Sequence, residues 1–237
     1  MKRAIVVAIS VLLALVVAAP IASGQSSSGQ SSSKSQNLGQ LTADFWNWTT
    51  ATKPSPVEGS YKGGAQCNGE YVKGVIFLAG SFDGPITVER TCTVPANTPI
   101  LFSPFNYLCG EAPTVLDPET GTFTGDPKPY TKCAKETIDA VIDSRSSFYA
   151  RVDGKEANQQ RIASGLFQWT IPVDKPFLDF IPAGTYESAQ DGLWVYLENG
   201  LNKGNHTVQF GGTFTDPLPP NVTAGEGTKV NYNLKAK

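Results

Sequence analysis

The chain has 237 residues, 40% of them hydrophobic and 17% charged, and 19 Lys and Arg against 21 Asp and Glu leave a formal net charge of −2. That balance excludes a protein that coats nucleic acid, where a cationic surface supplies most of the affinity. The apolar fraction excludes a chain disordered throughout, and 23 Gly with 17 Pro exclude a long coiled coil.

The first 24 residues read as a secretory signal peptide. Lys2 and Arg3 form a positive start, Ala4 to Ala19 is an unbroken apolar run of 16 residues, and Pro20 ends it before the small residues Ala22-Ser23-Gly24. The rival reading is a retained anchor, but the run is short for a span of ~20 residues and no basic cluster follows it. Residues 25–38 are Ser, Gln, Gly, Lys and Asn with one Leu, a composition that buries nothing and reads as a flexible tether. The remaining residues 39–237 are expected to form one domain, since about 200 residues suffice for one full core.

Within that domain the apolar segments are short, β-branched or aromatic, and bounded by turn residues. Val75 to Ala79 is a buried-strand run ended by Gly80 and the turn Asp83-Gly84-Pro85. From Ile86 to Val94 the chain alternates, placing Ile86, Val88, Arg90, Cys92 and Val94 on one face. Pro95 to Thr98 is a turn before the strand Ile100-Leu101-Phe102. Phe148 to Val152 precedes the turn Asp153-Gly154, and Gly165 to Ile171 carries Leu166, Phe167 and Trp169. Leu193 to Leu197, a loop from Asn199 to Gly204, and His206 to Phe210 read as a hairpin, and Thr228 to Leu234 as a terminal strand. This pattern predicts an all-β fold, an antiparallel β-sandwich of immunoglobulin-like or jelly-roll-like kind. One short helix is expected near 132–146, where Ile138, Val141 and Ile142 fall at i, i+3 and i+4. Residues 110–130 read as a long loop.

The four cysteines, Cys67, Cys92, Cys109 and Cys133, are even in number and lack zinc-type spacing, so two disulfides are expected in an exported chain. Of the three pairings, Cys67–Cys92 and Cys109–Cys133 join nearest neighbours, and each closes a loop of about 25 residues for ~3 kcal/mol. Asn47, Asn205 and Asn221 head Asn-X-Thr sequons that matter only in a host that glycosylates secreted proteins.

The blocks Gly74 to Gly80, Val88-Glu89-Arg90-Thr91-Cys92-Thr93-Val94-Pro95-Ala96, Arg151 to Gly154, Asp191 to Val195 and Gly204-Asn205-His206-Thr207-Val208-Gln209-Phe210-Gly211-Gly212 resemble a family of secreted microbial proteins without an assigned activity. The likeness covers roughly residues 43–235. The strand around His206-Thr207-Val208 is also similar to the penultimate strand of immunoglobulin-like modules on microbial surfaces. The resemblance implies location and architecture and brings no catalytic residues.

Several groups were candidates for chemistry. His206 is the only histidine and sits mid-strand with Val208 and Phe210, which favours a hydrogen-bonded structural role over catalysis or metal binding. Glu136, Asp139 and Asp143 share one helix face and offer oxygens to a cation such as calcium, with a solvated polar face as the plainer reading. Asp117, Glu119 and Asp126 add oxygens from the long loop without an EF-hand pattern. Trp169 and Trp194 lie in apolar strands and read as core. Trp46 and Trp48, at i and i+2 in a polar segment, are the candidate ligand-binding aromatics if they line an edge strand, or else they plug the sandwich end. Glu70, Glu89, Glu187 and Glu198 are the carboxylates open to a glycosidase reading. No dinucleotide or phosphate-loop motif is present, and no cofactor is implied.

The expectation is therefore a secreted or surface-associated, non-catalytic binding protein whose partner is an extracellular glycan or surface protein. No nucleic acid and no membrane span after signal cleavage are expected, and the sequence leaves the oligomeric state open. The alternatives are an extracellular polysaccharide hydrolase and a structural module of the envelope or matrix.

Overall fold

The computed structural model describes residues 37–51, 73–80, 87–113, 115–116, 120–173, 181–216 and 225–237. The expected signal peptide, nearly all of the tether, the turn at Asp83, Cys67, Glu70, Asp117, Glu119 and Asn221 lie outside the described residues.

Helix α1 (Leu38–Ala51) comes first, followed by strands β1 (Ile76–Leu78), β2 (Thr87–Val94), β3 (Ile100–Gly110), β4 (Val115–Leu116) and β5 (Phe123–Thr124). Helix α2 (Tyr130–Asp143) leads to β6 (Ser147–Val152), β7 (Lys155–Glu156), β8 (Gln160–Arg161) and β9 (Gly165–Ile171). The long β10 (Gly184–Leu197), β11 (Gly204–Phe214), β12 (Gly225–Glu226) and β13 (Lys229–Ala236) complete the order.

The strands form a β-sandwich. Sheet I runs β1-β3-β10-β8, with β9 also on β10; sheet II runs β2-β13-β11-β6-β7, with β12 on β11. Both sheets are mixed, which corrects the expectation of a purely antiparallel sandwich: β1 lies parallel to β3 and β13 parallel to β2. Alternation within a strand tells which residues share a face, not the direction of the neighbour.

Sheet I is covered on both sides. Ile76, Leu78, Ile100, Phe102 and Val195 face sheet II and pack with Val94, Ala150, Val208, Phe210, Val230 and Leu234. The intervening residues, Val75, Phe77, Ala79, Leu101 and Trp194, face Leu41, Phe45, Trp46 and Trp48 of α1. Double coverage explains why β1 and its flanks read as a continuous apolar run, whereas β2, with one face in water, alternates.

Helix α1 was not anticipated. Its apolar stripe, Leu38, Leu41, Phe45 and Trp48, follows the helical period, and Asn37 caps it by accepting the Gln40 N–H at 3.3 Å. It also closes the edge of sheet I. The Asn47 amide donates to the Gln168 carbonyl at 3.0 Å and accepts the Thr170 N–H at 2.9 Å, so one side chain satisfies the backbone of β9.

Helix α2 packs on sheet I, against the end of β3 around Cys109 and the start of β10 around Ala189. Ala134, Ile138 and Val141 are buried there, while Ile142, expected on the same apolar face, is 41% exposed. The helix stops at Ser144, which caps it, and Arg145 adopts a left-handed φ of 64°. The disulfide Cys109–Cys133, at a Cα–Cα distance of 6.1 Å, pins the first turn of α2 to the end of β3. Cys92 is buried and disulfide-bonded; its expected partner Cys67 is outside the described residues.

A second correction concerns the expected hairpin at 193–210. β10 belongs to sheet I and β11 to sheet II, so the loop between them crosses the sandwich. Gly200, at φ 60°, lies so close to Thr98 that an added Cβ would be 2.0 Å from its carbonyl oxygen, and Leu201 is buried beneath the crossing. The core-facing Arg90 is also accounted for. It donates to the carbonyls of Ala79 and Gly80 and, at 2.7 Å, to the Tyr232 hydroxyl, with its guanidinium 5.4 Å from the Tyr232 ring centre.

Candidate functional site

Trp46 and Trp48 lie on α1 rather than on an edge strand, and they are only 5% and 7% exposed. Trp46 meets Trp169 edge-on at 5.9 Å and Trp48 meets Phe77 at 5.6 Å, while Phe45 contacts Trp194 at 5.1 Å. These rings form the core between α1 and sheet I and present no open face to a ligand.

Two of the acidic residues of α2 are drawn into ion pairs. Glu136 pairs with Lys132 at 3.6 Å, and Asp139 with Lys135 at 2.6 Å and Arg161 at 2.5 Å. Those cations hold the Asp139 carboxyl below its ordinary range, the Lys135 hydrogen bond contributing most. Asp143 is exposed at the end of the helix. Arg161 also grips the buried Asp191 through Nε and Nη2, the latter at 2.6 Å, which ties β8, β10 and α2 together.

His206 reaches Asp153, in the turn between β6 and β7, and the Asn202 carbonyl. Of the carboxylates weighed for hydrolysis, the three among the described residues lie on separate parts of the sandwich: Glu89 is on sheet II, Glu187 in β10 of sheet I, and Glu198 just past the end of β10. Of the sequons, Asn47 already spends its amide nitrogen on β9, and Asn205 is exposed on β11.

Among the described residues, the outer face of sheet II is an exposed polar surface, and the inward apolar pattern of its strands gives no hint of it. Here strand pairing lays out rows. Glu89 lies beside Asn231, Asn231 beside Gln209, and Gln209 beside Arg151. The next row is Thr91, Asn233 and Thr207, and the next Thr93, Lys235 and Asn205. Glu89, Thr91, Thr93, Asn205, Thr207, Asn233, Lys235 and Arg151 are exposed. Gln209 donates to Asn231 across the strands at 3.1 Å, fixing the two amides in register. Arg151 binds Glu156 at 2.7 Å and lies 5.5 Å from the Tyr149 ring centre. Tyr149 pairs with Gly211, where a Cβ would meet the Tyr149 hydroxyl oxygen at 3.2 Å, so its side chain lies across the glycine. The result is a sheet face of amide, hydroxyl and charged groups in register, with an aromatic side chain at one border. Its sequence signal was the outward half of the β2 and β13 alternations.

A second concentration of polar groups lies where α2 meets β3. The Asp126 carboxyl stands beside the Cys109–Cys133 disulfide, its ligand oxygen and the two sulfurs lying within 4.8 Å of one another. These are metal-ligand types, but both sulfurs are joined in the bond. Glu111 accepts the Glu187 N–H at 3.1 Å and pairs with Lys128 at 3.2 Å, and these contacts keep its carboxyl below the ordinary range.

No protein-family model matches the chain, and no curated protein matches it. Among solved structures, the solution structure of amebosin aligns at 11% identity over 63% of this chain and 97% of that one. The TM-score is 0.14, so the match carries no argument about fold or function.

Proposed function

We propose that the chain is an exported, non-catalytic binding module that holds an extracellular glycan on the outer face of sheet II. The observation that carries this reading is the row Glu89, Asn231, Gln209 and Arg151, with its fixed Gln209–Asn231 amide pair. Sugar hydroxyls need closely spaced donors and acceptors, and side-chain amides supply both. The Tyr149 hydroxyl adds a further donor and acceptor at the border of the face. A pleated sheet holds these groups on a rigid backbone, which limits the entropy lost on binding. The N-terminal apolar run, the Cys109–Cys133 disulfide and the resemblance to secreted microbial proteins support export. Among the described residues, no helix is long and apolar enough to cross a membrane.

Affinity electrophoresis through gels cast with neutral and acidic polysaccharides tests the reading. At least one polysaccharide should retard the protein, and the double variant Gln209→Ala/Asn231→Ala should weaken that binding by about tenfold or more. Unchanged mobility across the panel, or equal retardation of the variant, would overturn it.

A further inference from the structure

The two halves of the Cys109–Cys133 disulfide stand in unequal surroundings. Cys109 is fully buried at the end of β3, whereas Cys133 is half-buried. Cys133 lies in the first turn of α2, where its N–H donates to the Pro129 carbonyl at 3.1 Å. The positive end of the helix dipole favours negative charge on a sulfur there. Asp126 is held beside the bond by a reciprocal pair with Gly110. Its N–H donates to the Gly110 carbonyl at 2.9 Å, and its Oδ2 accepts the Gly110 N–H at 3.0 Å. Burial raises its carboxyl above the ordinary range, against the lowering effect of that Gly110 hydrogen bond. The Asp126 carboxyl and the two sulfurs lie within 4.8 Å of one another, so a titratable oxygen stands at the bond itself.

We infer that Cys109–Cys133 is an exchange-active disulfide, in which Cys133 is the sulfur open to an external thiol, Cys109 the buried leaving sulfur and Asp126 its proton carrier. An external thiolate attacks Cys133 Sγ, and a new S–S bond forms there as the Cys109–Cys133 bond breaks. The electron pair leaves on Cys109 Sγ, which takes the proton of the Asp126 carboxylic acid. A second thiolate then attacks the sulfur of the first external thiol and releases Cys133 as a thiolate facing the helix N-terminus. The net result is two thiols oxidised to one disulfide and the protein disulfide reduced to a dithiol. Run backwards, the dithiol reduces a partner's disulfide, with the Asp126 carboxylate accepting the Cys109 proton. Tyr107 of β3 and Tyr130 of α2 pack with the two cysteines, and the Glu111–Lys128 pair, the Lys132–Glu136 pair of α2 and Glu187 of β10 are further charged groups on the elements meeting here.

The test uses the full chain in native buffer with reduced glutathione, followed by alkylation of free thiols and peptide mass spectrometry across a pH series. Cys109–Cys133 should open at least about tenfold faster than the disulfide holding Cys92, with glutathione trapped on Cys133. Asp126→Asn keeps an oxygen for the Gly110 N–H, and should slow opening by about tenfold or more and flatten its pH dependence. Opening only under denaturant, glutathione trapped on Cys109, or an unchanged pH profile in Asp126→Asn would each overturn the inference. Should that variant fail to fold, the relative rate and the trapping site in the unaltered protein decide the matter.

Discussion

His206 places its Nδ1 2.7 Å from the Asp153 carboxylate, while its Nε2 lies 2.9 Å from the Asn202 carbonyl. Both ring nitrogens therefore meet acceptors, an arrangement satisfied in full only by the doubly protonated imidazolium. The Asp153 hydrogen bond is the main cause of a His206 pKa raised above 6.5. Desolvation, the largest single influence on Asp153, pushes its carboxyl up, but His206 and the Thr207 N–H together bring it below 3.8.

The His206 contribution is complete below about pH 6.5 and is lost as pH rises through the raised folded value. The Asp153 contribution is present above about pH 3.8 and is lost as pH falls through the lowered folded value. Because His206 is the only histidine, a single imidazole resonance should titrate with a midpoint above 6.5. Asp153→Asn should bring that midpoint down and cost at most about 1 kcal/mol, since Asp153 is 47% exposed. A midpoint unmoved by the substitution would contradict the pairing.

Trp46→Ala and Trp48→Ala should each destabilise the domain by about 3–5 kcal/mol, the usual cost of emptying a large aromatic site in a core. Urea unfolding monitored by circular dichroism measures this. Glycan retardation of whatever folded fraction remains should be unaffected, because both rings are buried between α1 and sheet I.

Gly39→Ala should destabilise the protein, although alanine is the better helix former by about 1 kcal/mol. The added Cβ would lie 2.7 Å from the Ala163 carbonyl oxygen, which is backbone and cannot swing aside. A net loss of about 1–3 kcal/mol is expected from overpacking. A rise in melting temperature would show that α1 sits farther from Ala163.

Arg161→Met should leave Asp191, whose side chain is 5% exposed, without its bidentate partner and release the α2 carboxylate Asp139. A loss of about 2–4 kcal/mol is expected, tempered because Arg161 is 34% exposed. Hydrogen exchange should report faster opening of α2 than of sheet II.

Much of the sandwich was legible because burial on one side forces alternation. In β2 the inward set Val88, Arg90, Cys92 and Val94 was readable from the sequence, and the structure buries all of them. Alternation is silent on partners, however. Leu193 to Leu197 and His206 to Phe210 look alike as strands whether the loop between them turns within one sheet or crosses to the other. Helix α1 was missed for a related reason. Trp46 and Trp48 at i and i+2 mimic a strand, although Leu41, Phe45 and Trp48 keep the helical period and Asn37 offers a cap. The polar face of sheet II lacks punctuation altogether. Its Thr, Asn and Gln residues are what any wet face requires, and only strand register assembles them into rows.

The parallel pairing of β2 with β13 joins residues as far apart as Arg90 and Tyr232, 142 positions along the chain. During synthesis β2 is made well before β13 and stands without its neighbour until the intervening strands have followed. Such a late closure makes for slow folding and a long interval with an unzipped strand edge.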